Sequence, residues 1–178
     1  MEKEETAIIL DFLPNGYPLE RKMMPIAQAL GSKNFTLLEL VPRKGENLEL
    51  GEVVYIGEGK RTKIYYILGR LNPHKITESA KDNLQEIVEK IVQENENKFV
   101  DFFNKSQAIN KRVHQIELIP GFGKKHMKEI LEERERKPFI SFAEMKERLQ
   151  SIPNPEKAIA KRIIEELLQQ ERQRLFVL

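Results

Sequence analysis

The hydrophobic pattern changes period once, near residue 76. Before it, short apolar runs are separated by turn residues. Thr6–Leu13 reads as a strand closed by Pro14-Asn15-Gly16. Pro25–Leu30 predicts a short helix, with Pro25 in the first turn and Gly31 as the stop. Phe35–Val41 reads as a second strand, ended by Pro42-Arg43-Lys44-Gly45, and Glu52–Ile56 as a third. Gly57–Lys63 then predicts a hairpin loop into a fourth strand, Ile64–Leu68. Four or five short strands with one small helix predict a small, partly closed β-barrel over residues 1–76.

From Thr77 the period becomes helical. Thr77 is a good N-cap, and Leu84, Ile87, Val88, Ile91 and Val92 form one apolar stripe. Asn95 interrupts the stripe and Phe99, Phe102 and Phe103 resume it, so residues 77–106 form one long helix or two bent near Asn95, a core-facing connector. Residues 107–178 hold two further helical pairs. In the first, apolar positions up to Ile119 meet Met127, Ile130 and Leu131 across Pro120-Gly121-Phe122-Gly123. In the second, Ser141 and Glu144 form a capping box ahead of Met145 and Leu149, Ile152-Pro153-Asn154-Pro155 breaks the pattern, and Ile159, Ile163, Ile164 and Leu167 continue it. The expected class is α+β, a small barrel followed by an all-α domain.

Composition narrows the function. The 178 residues contain no cysteine, which excludes disulfides and thiolate metal sites. No apolar run approaches the roughly 20 residues that span a bilayer, and the start Met1-Glu2-Lys3-Glu4-Glu5 is acidic, unlike a signal peptide. A soluble cytoplasmic protein is expected. Richness in Glu, Lys and Arg without Cys or Trp would suit a thermophile. The net charge of +2 is too small to identify a polyanion partner, but its distribution is uneven. Residues 107–178 carry 15 Lys and Arg against 11 Asp and Glu, whereas residues 77–106 carry 4 against 7. The positive excess lies with the Gly-rich turn, as a nucleic-acid footprint requires.

Gly121 and Gly123 permit backbone angles and close approaches closed to other residues. The helix that begins after them offers unpaired amides and a partial positive charge, to which Lys124 and Lys125 add full charges. These residues, with Phe122, form a candidate phosphate cradle. The alternative is a corner whose glycines serve packing alone. A second candidate contact is the tip Lys60, Arg61 and Lys63, with Tyr65, Tyr55 or Tyr66 as a stacking plane; the alternative there is a solvated tip and half-buried tyrosines. Gly57-Glu58-Gly59-Lys60 is not a nucleotide-binding P-loop, because strands flank it on both sides. The Pro153-Asn154-Pro155 turn has neither glycine and presents fewer amides, which predicts a mainly structural role, with Lys157, Lys161 and Arg162 weak contributors. His74, His114 and His126 lack metal-ligand spacing, and Asp11 has no second acid at usable spacing. No catalytic motif emerges, so neither enzymatic activity nor a cofactor is expected.

The run Ile116-Glu117-Leu118-Ile119-Pro120-Gly121-Phe122-Gly123-Lys124 resembles the helix-hairpin-helix signature of sequence-nonspecific nucleic-acid-binding proteins. The resemblance implies that the Gly121–Lys125 amides grip one backbone phosphate. Met127 stands where that signature usually has a small residue. Leu50–Ile56 is similar to the strand entry of OB-fold and S1-like modules. The whole order, including Phe102-Phe103-Asn104-Lys105 and Lys137-Pro138-Phe139, resembles an archaeal family known as domain of unknown function 655. What that implies is an OB/S1-like barrel joined to a tandem helix-hairpin-helix domain, RNA binding, and a setting in translation or ribosomal-RNA metabolism. The expected function is sequence-nonspecific binding of RNA or DNA, with RNA preferred. The alternative is a protein-interaction adaptor docking on ribosomal or transcription proteins through its helices.

Overall fold

The computed structural model describes residues 3–169 and 171–178; Met1 and Glu2 of the acidic start lie outside the described residues. The chain folds as two units, the residues up to Ile87 together with Glu166–Leu178, and Val88–Glu165. The boundaries of these units fall within helices, after Ile87 and after Glu165.

In the first unit, β1 (Thr6–Leu13), β2 (Ile26–Gly31), β3 (Leu37–Pro42), β4 (Val53–Tyr55) and β5 (Ile64–Arg70) form one antiparallel sheet in the order β4-β1-β2-β3-β5. The sheet curls into a half-barrel. Alternate residues Ala7 and Ile9, Ala27 and Ala29, and Leu38 and Leu40 join Val54, Ile56 and Ile64 in one buried cluster, as the period-2 direction of strand side chains requires. Register shifts between Ile9 and Asp11 in β1, and at two places between β3 and β5, supply the bends.

Two expectations are corrected here. Residues 25–30 are not a helix: Ile26–Gly31 is the central strand, paired with both β1 and β3 and buried along its whole length. Ladder bonds on both sides outweigh the helix preference of Ala, Gln and Leu. Gly57–Lys63 is not a hairpin loop either, because β4 and β5 lie at opposite ends of the strand order and do not pair. The loop joins the two edge strands of the sheet instead.

The sheet is tied to the start of α1 (Glu78–Glu94) by polar side chains. Thr77 Oγ1 accepts the Ala80 amide at 3.2 Å, as an N-cap does, and donates to the Asp11 carboxylate at 2.6 Å. Gln28, fully buried, accepts the Thr77 amide and donates to the Lys75 carbonyl and the Tyr17 hydroxyl. Tyr17 donates in turn to Glu39 at 2.8 Å, and burial pushes its phenol pKa well up. Asp11 thus has a structural employment. At the other end of the chain, the buried Glu166 carboxylate accepts the amides of Leu175, Phe176 and Val177.

In the second unit, α1 ends at Glu94 and α2 (Glu96–Lys105) follows after a break at Asn95. The Asn95 carboxamide donates to the Ile91 carbonyl at 2.8 Å, and of the two readings left open the stretch forms two helices. Then come α3 (Lys124–Arg136), α4 (Phe142–Arg148) and α5 (Pro155–Leu168). The element before the Pro-Gly-Phe-Gly turn is only a 3-10 turn, Gln115–Leu118, shorter than the helix expected. Among the described residues no helix is long and apolar enough to cross a membrane.

Candidate nucleic-acid interface

The Gly121–Lys125 turn begins from a buried anchor. Phe122 is buried against Phe103, with ring centroids 5.8 Å apart, and its amide is taken by the Ile119 carbonyl. Phe122 therefore shapes the turn and offers no ring to a ligand. Gly121 has φ +84°, and a Cβ there would lie 3.2 Å from Pro153 Cγ, so the fold itself demands this glycine. Gly123 is different. Its extended backbone suits any residue, and a Cβ built on it meets nothing within 4 Å. No described residue requires a glycine there.

The amides of this turn divide into two groups. Gly123 donates to His126 Nδ1 at 3.1 Å and Phe122 to Ile119, so those two are spent. The amides of Gly121, Lys124, Lys125 and His126 find no acceptor among the described residues. Gly121, Gly123, Lys124 and Lys125 are exposed. Lys124 Nζ reaches the Arg112 carbonyl at 3.1 Å, which brings a second exposed turn, carrying Lys111 and Arg112, alongside the first. Asn110 shapes that turn by accepting the amides of Arg112 and Val113. The Asn-Lys-Arg run was its one signal in the sequence, the kind that marks an Asx-turn.

The positive excess of residues 107–178 overstates what is available to a ligand. Arg134 donates to the Phe103 and Ser106 carbonyls at the end of α2. Arg148 donates to the Glu133 and Lys137 carbonyls at the end of α3, pairs with Glu144, and covers the Phe139 ring at 4.5 Å. Both arginines complete helix C-termini. His114 is likewise structural: it heads the 3-10 turn, accepting the Ile116 amide while Glu117 accepts its own. Burial, and then the Arg134 charge, hold its pKa below the ordinary value.

The cations of the other candidate contact are partly committed. Lys63 pairs with Glu52, and Arg61 Nε donates to the Gly57 carbonyl, leaving Lys60 exposed. Tyr55 is engaged by the Gly59 amide at 2.9 Å. Tyr65 is 64 % exposed, with the Arg43 guanidinium 6.0 Å from its ring centroid. Arg43 and Lys44, both exposed, went unnoticed in the sequence as anything but the end of a strand. Among the described residues no group of three acidic, His or Cys side chains could hold a metal ion.

The class these features define is an α+β protein, an antiparallel half-barrel combined with five α-helices among the described residues. The chain belongs to the family described as protein of unknown function (DUF655), whose model matches residues 3–178. It is 41 % identical over 174 residues to an uncharacterized protein of Methanocaldococcus jannaschii, an alignment covering 98 % of this chain and 79 % of that one. It is also similar to the crystal structure of a protein from Archaeoglobus fulgidus matched by the same family model, with 43 % identity and a TM-score of 0.90 over 98 % of this chain and all of the other.

Proposed function

We propose that this is a non-enzymatic nucleic-acid-binding protein, RNA in preference to DNA, that grips the phosphate backbone at the Gly121–Lys125 turn. On this reading the 3-10 turn, Gly-rich loop and α3 form a helix-hairpin-helix, and α4, the Pro153 turn and α5 form its structural counterpart. The half-barrel is read as OB-type, since the order β4-β1-β2-β3-β5 is that of a five-stranded barrel left open between β4 and β5. The observation that carries the binding assignment is Gly123: an exposed glycine that neither backbone angle nor internal packing requires, followed by two lysines and three open amides. Such a position suits an external oxyanion that must come close to the backbone. Lys60, Arg61 and Lys63 are secondary contacts.

The test is Gly123→Val combined with Lys124→Glu and Lys125→Glu, which the extended backbone and open surroundings accommodate. Affinity for structured RNA at low salt falls by about a hundredfold, and the salt slope shrinks by about two counterions. Circular dichroism stays native. Unchanged affinity removes the turn from the site. The adaptor reading rests on Ile140, 65 % exposed beside a cleft of about 540 Å³ also lined by Asn97, Val100 and Phe139. Capture of a defined ribosomal or transcription protein that survives nuclease and high salt, and is lost on Ile140→Asp, would favour it.

A further inference from the structure

We propose that the first unit holds a stacking site for one unpaired nucleobase and its phosphate, built on Tyr65 and Arg43. The proposal rests on the nucleic-acid reading above and specifies single strands as its ligand at this place. The sheet register supplies the first reason. Val41 pairs with Tyr66 and Pro42 with Ile64, so Tyr65 is the extra residue of a bulge in β5. A bulge breaks the alternation of side chains and re-aims one of them. Here it leaves two consecutive tyrosines at the surface, Tyr65 at 64 % and Tyr66 at 37 % exposure, packed edge to face at 5.4 Å. Among the described residues Tyr66 gives its hydroxyl to Met24 Sδ, whereas the Tyr65 hydroxyl has no partner.

The second reason is what surrounds the ring. Tyr65 lines a cavity of about 490 Å³ together with Pro25, Pro42, Arg43, Lys44 and Glu46, a size ordinary for small ligands. Proline rings give flat apolar walls, and Arg43 and Lys44 give charge for a phosphate. Arg43 is held in place by backbone. The turn after β3 closes with the Glu46 amide on the Arg43 carbonyl at 3.0 Å and Gly45 at φ +84°. Arg43 N–H donates to the Lys63 carbonyl, and its Nε to the Arg61 carbonyl at 2.9 Å. Its terminal guanidinium nitrogens have no acceptor among the described residues. An exposed ring beside a pinned arginine and an exposed lysine matches the division of labour by which single strands are held, bases on aromatic faces and phosphates on cations. Paired bases keep their faces inside the helix and cannot use it.

The test compares fluorescence anisotropy of an eight-uridine RNA, an abasic chain of equal length and a duplex, with uridine monophosphate as competitor. Tyr65→Ala weakens the eight-uridine RNA about tenfold, Tyr65→Phe keeps native affinity, and neither change affects the abasic chain or the duplex. Uridine monophosphate competing as well as the RNA would identify a free nucleotide as the ligand; much weaker competition identifies the strand. Equal losses on uridine and abasic chains overturn the stacking site. Should Tyr65→Ala leave the RNA bound while the Gly123/Lys124/Lys125 variant releases it, this site falls and the phosphate-binding reading stands. Native protein that binds none of the probes overturns both.

Discussion

Helices α3 and α5 start in opposite ways within the same unit. α5 begins behind Asn154, whose Oδ1 accepts the Lys157 amide at 3.0 Å; Pro155 removes another donor, and Glu156 puts a negative charge in the first turn. A side-chain cap, a proline without an N–H and an acid thus satisfy this helix start together. α3 begins behind Gly123, with no side-chain cap, no acid in its first turn, and lysines at its first two positions. The neighbouring α4 is closed too, by Ser141 Oγ on the Glu144 amide. The lesson is that cation number overstates the charge this unit leaves open to a ligand, since Arg134 and Arg148 are consumed by carbonyls. What sets the α3 start apart is the combination of no side-chain cap, no acid and two lysines; α2 also lacks a side-chain cap behind Asn95 but carries Glu96 in its first turn.

The most direct way to erase the contrast is to give α3 the cap α5 has. Gly123→Asn fits the extended backbone and its open surroundings. The new carboxamide would accept an amide of the first turn and occupy the place of a phosphate oxygen. Nucleic-acid affinity falls about tenfold, while the unfolding free energy rises slightly, by a few tenths of a kcal/mol. Filter binding and urea unfolding read the two effects on one preparation. Loss of affinity with no loss of stability separates an anion site from a packing corner; equal affinity would mean the uncapped start has no such ligand.

The reverse change probes the other start. Asn154→Ala removes the cap from α5 and costs about 1 kcal/mol of stability, with nucleic-acid affinity unchanged. A loss of affinity as large as that of Gly123→Asn would show that both turns hold phosphates, and the contrast would disappear.

These starts were unequally legible in the sequence. The glycine-lysine turn stood out because its chemistry is local, four residues with one consequence. β1 was legible for a similar reason, and its ends, Thr6–Leu13, coincide with the run bounded by the Pro14 turn. β2 was not, because Pro25-Ile-Ala-Gln-Ala-Leu reads as helix in isolation and becomes a strand only through partners on β1 and β3, from Leu13 opposite Ile26 to Ala7 opposite Gly31 on the β1 side. The apparent β4–β5 hairpin failed likewise: closeness in sequence around a glycine loop says nothing about a sheet that curls and leaves both strands at its edges. Tyr65 was visible as an aromatic, but the bulge that exposes it is a property of register, which no single strand carries. The structural use of Arg134 and Arg148 was hidden for the same reason, their carbonyl partners lying on other elements.

The smallest effect concerns a third kind of start, a cap that titrates. His114 Nδ1 accepts the Ile116 amide at 3.2 Å, which only the neutral ring can do. Burial, followed by repulsion from Arg134, holds its pKa below the ordinary 6.5, with Glu117 pulling weakly the other way. The unfolded chain therefore takes up a proton before the folded one does. Stability contributed by the neutral ring is complete above 6.5 and drains away as pH falls from there to the lower folded value. His114→Asn keeps an acceptor at the cap and removes the proton. Between pH 7.5 and 5.5 the native protein loses more of its urea midpoint than this variant does. Parallel profiles would show that His114 is not the group whose protonation opposes folding, and would leave the 3-10 turn capped without any sensitivity to pH.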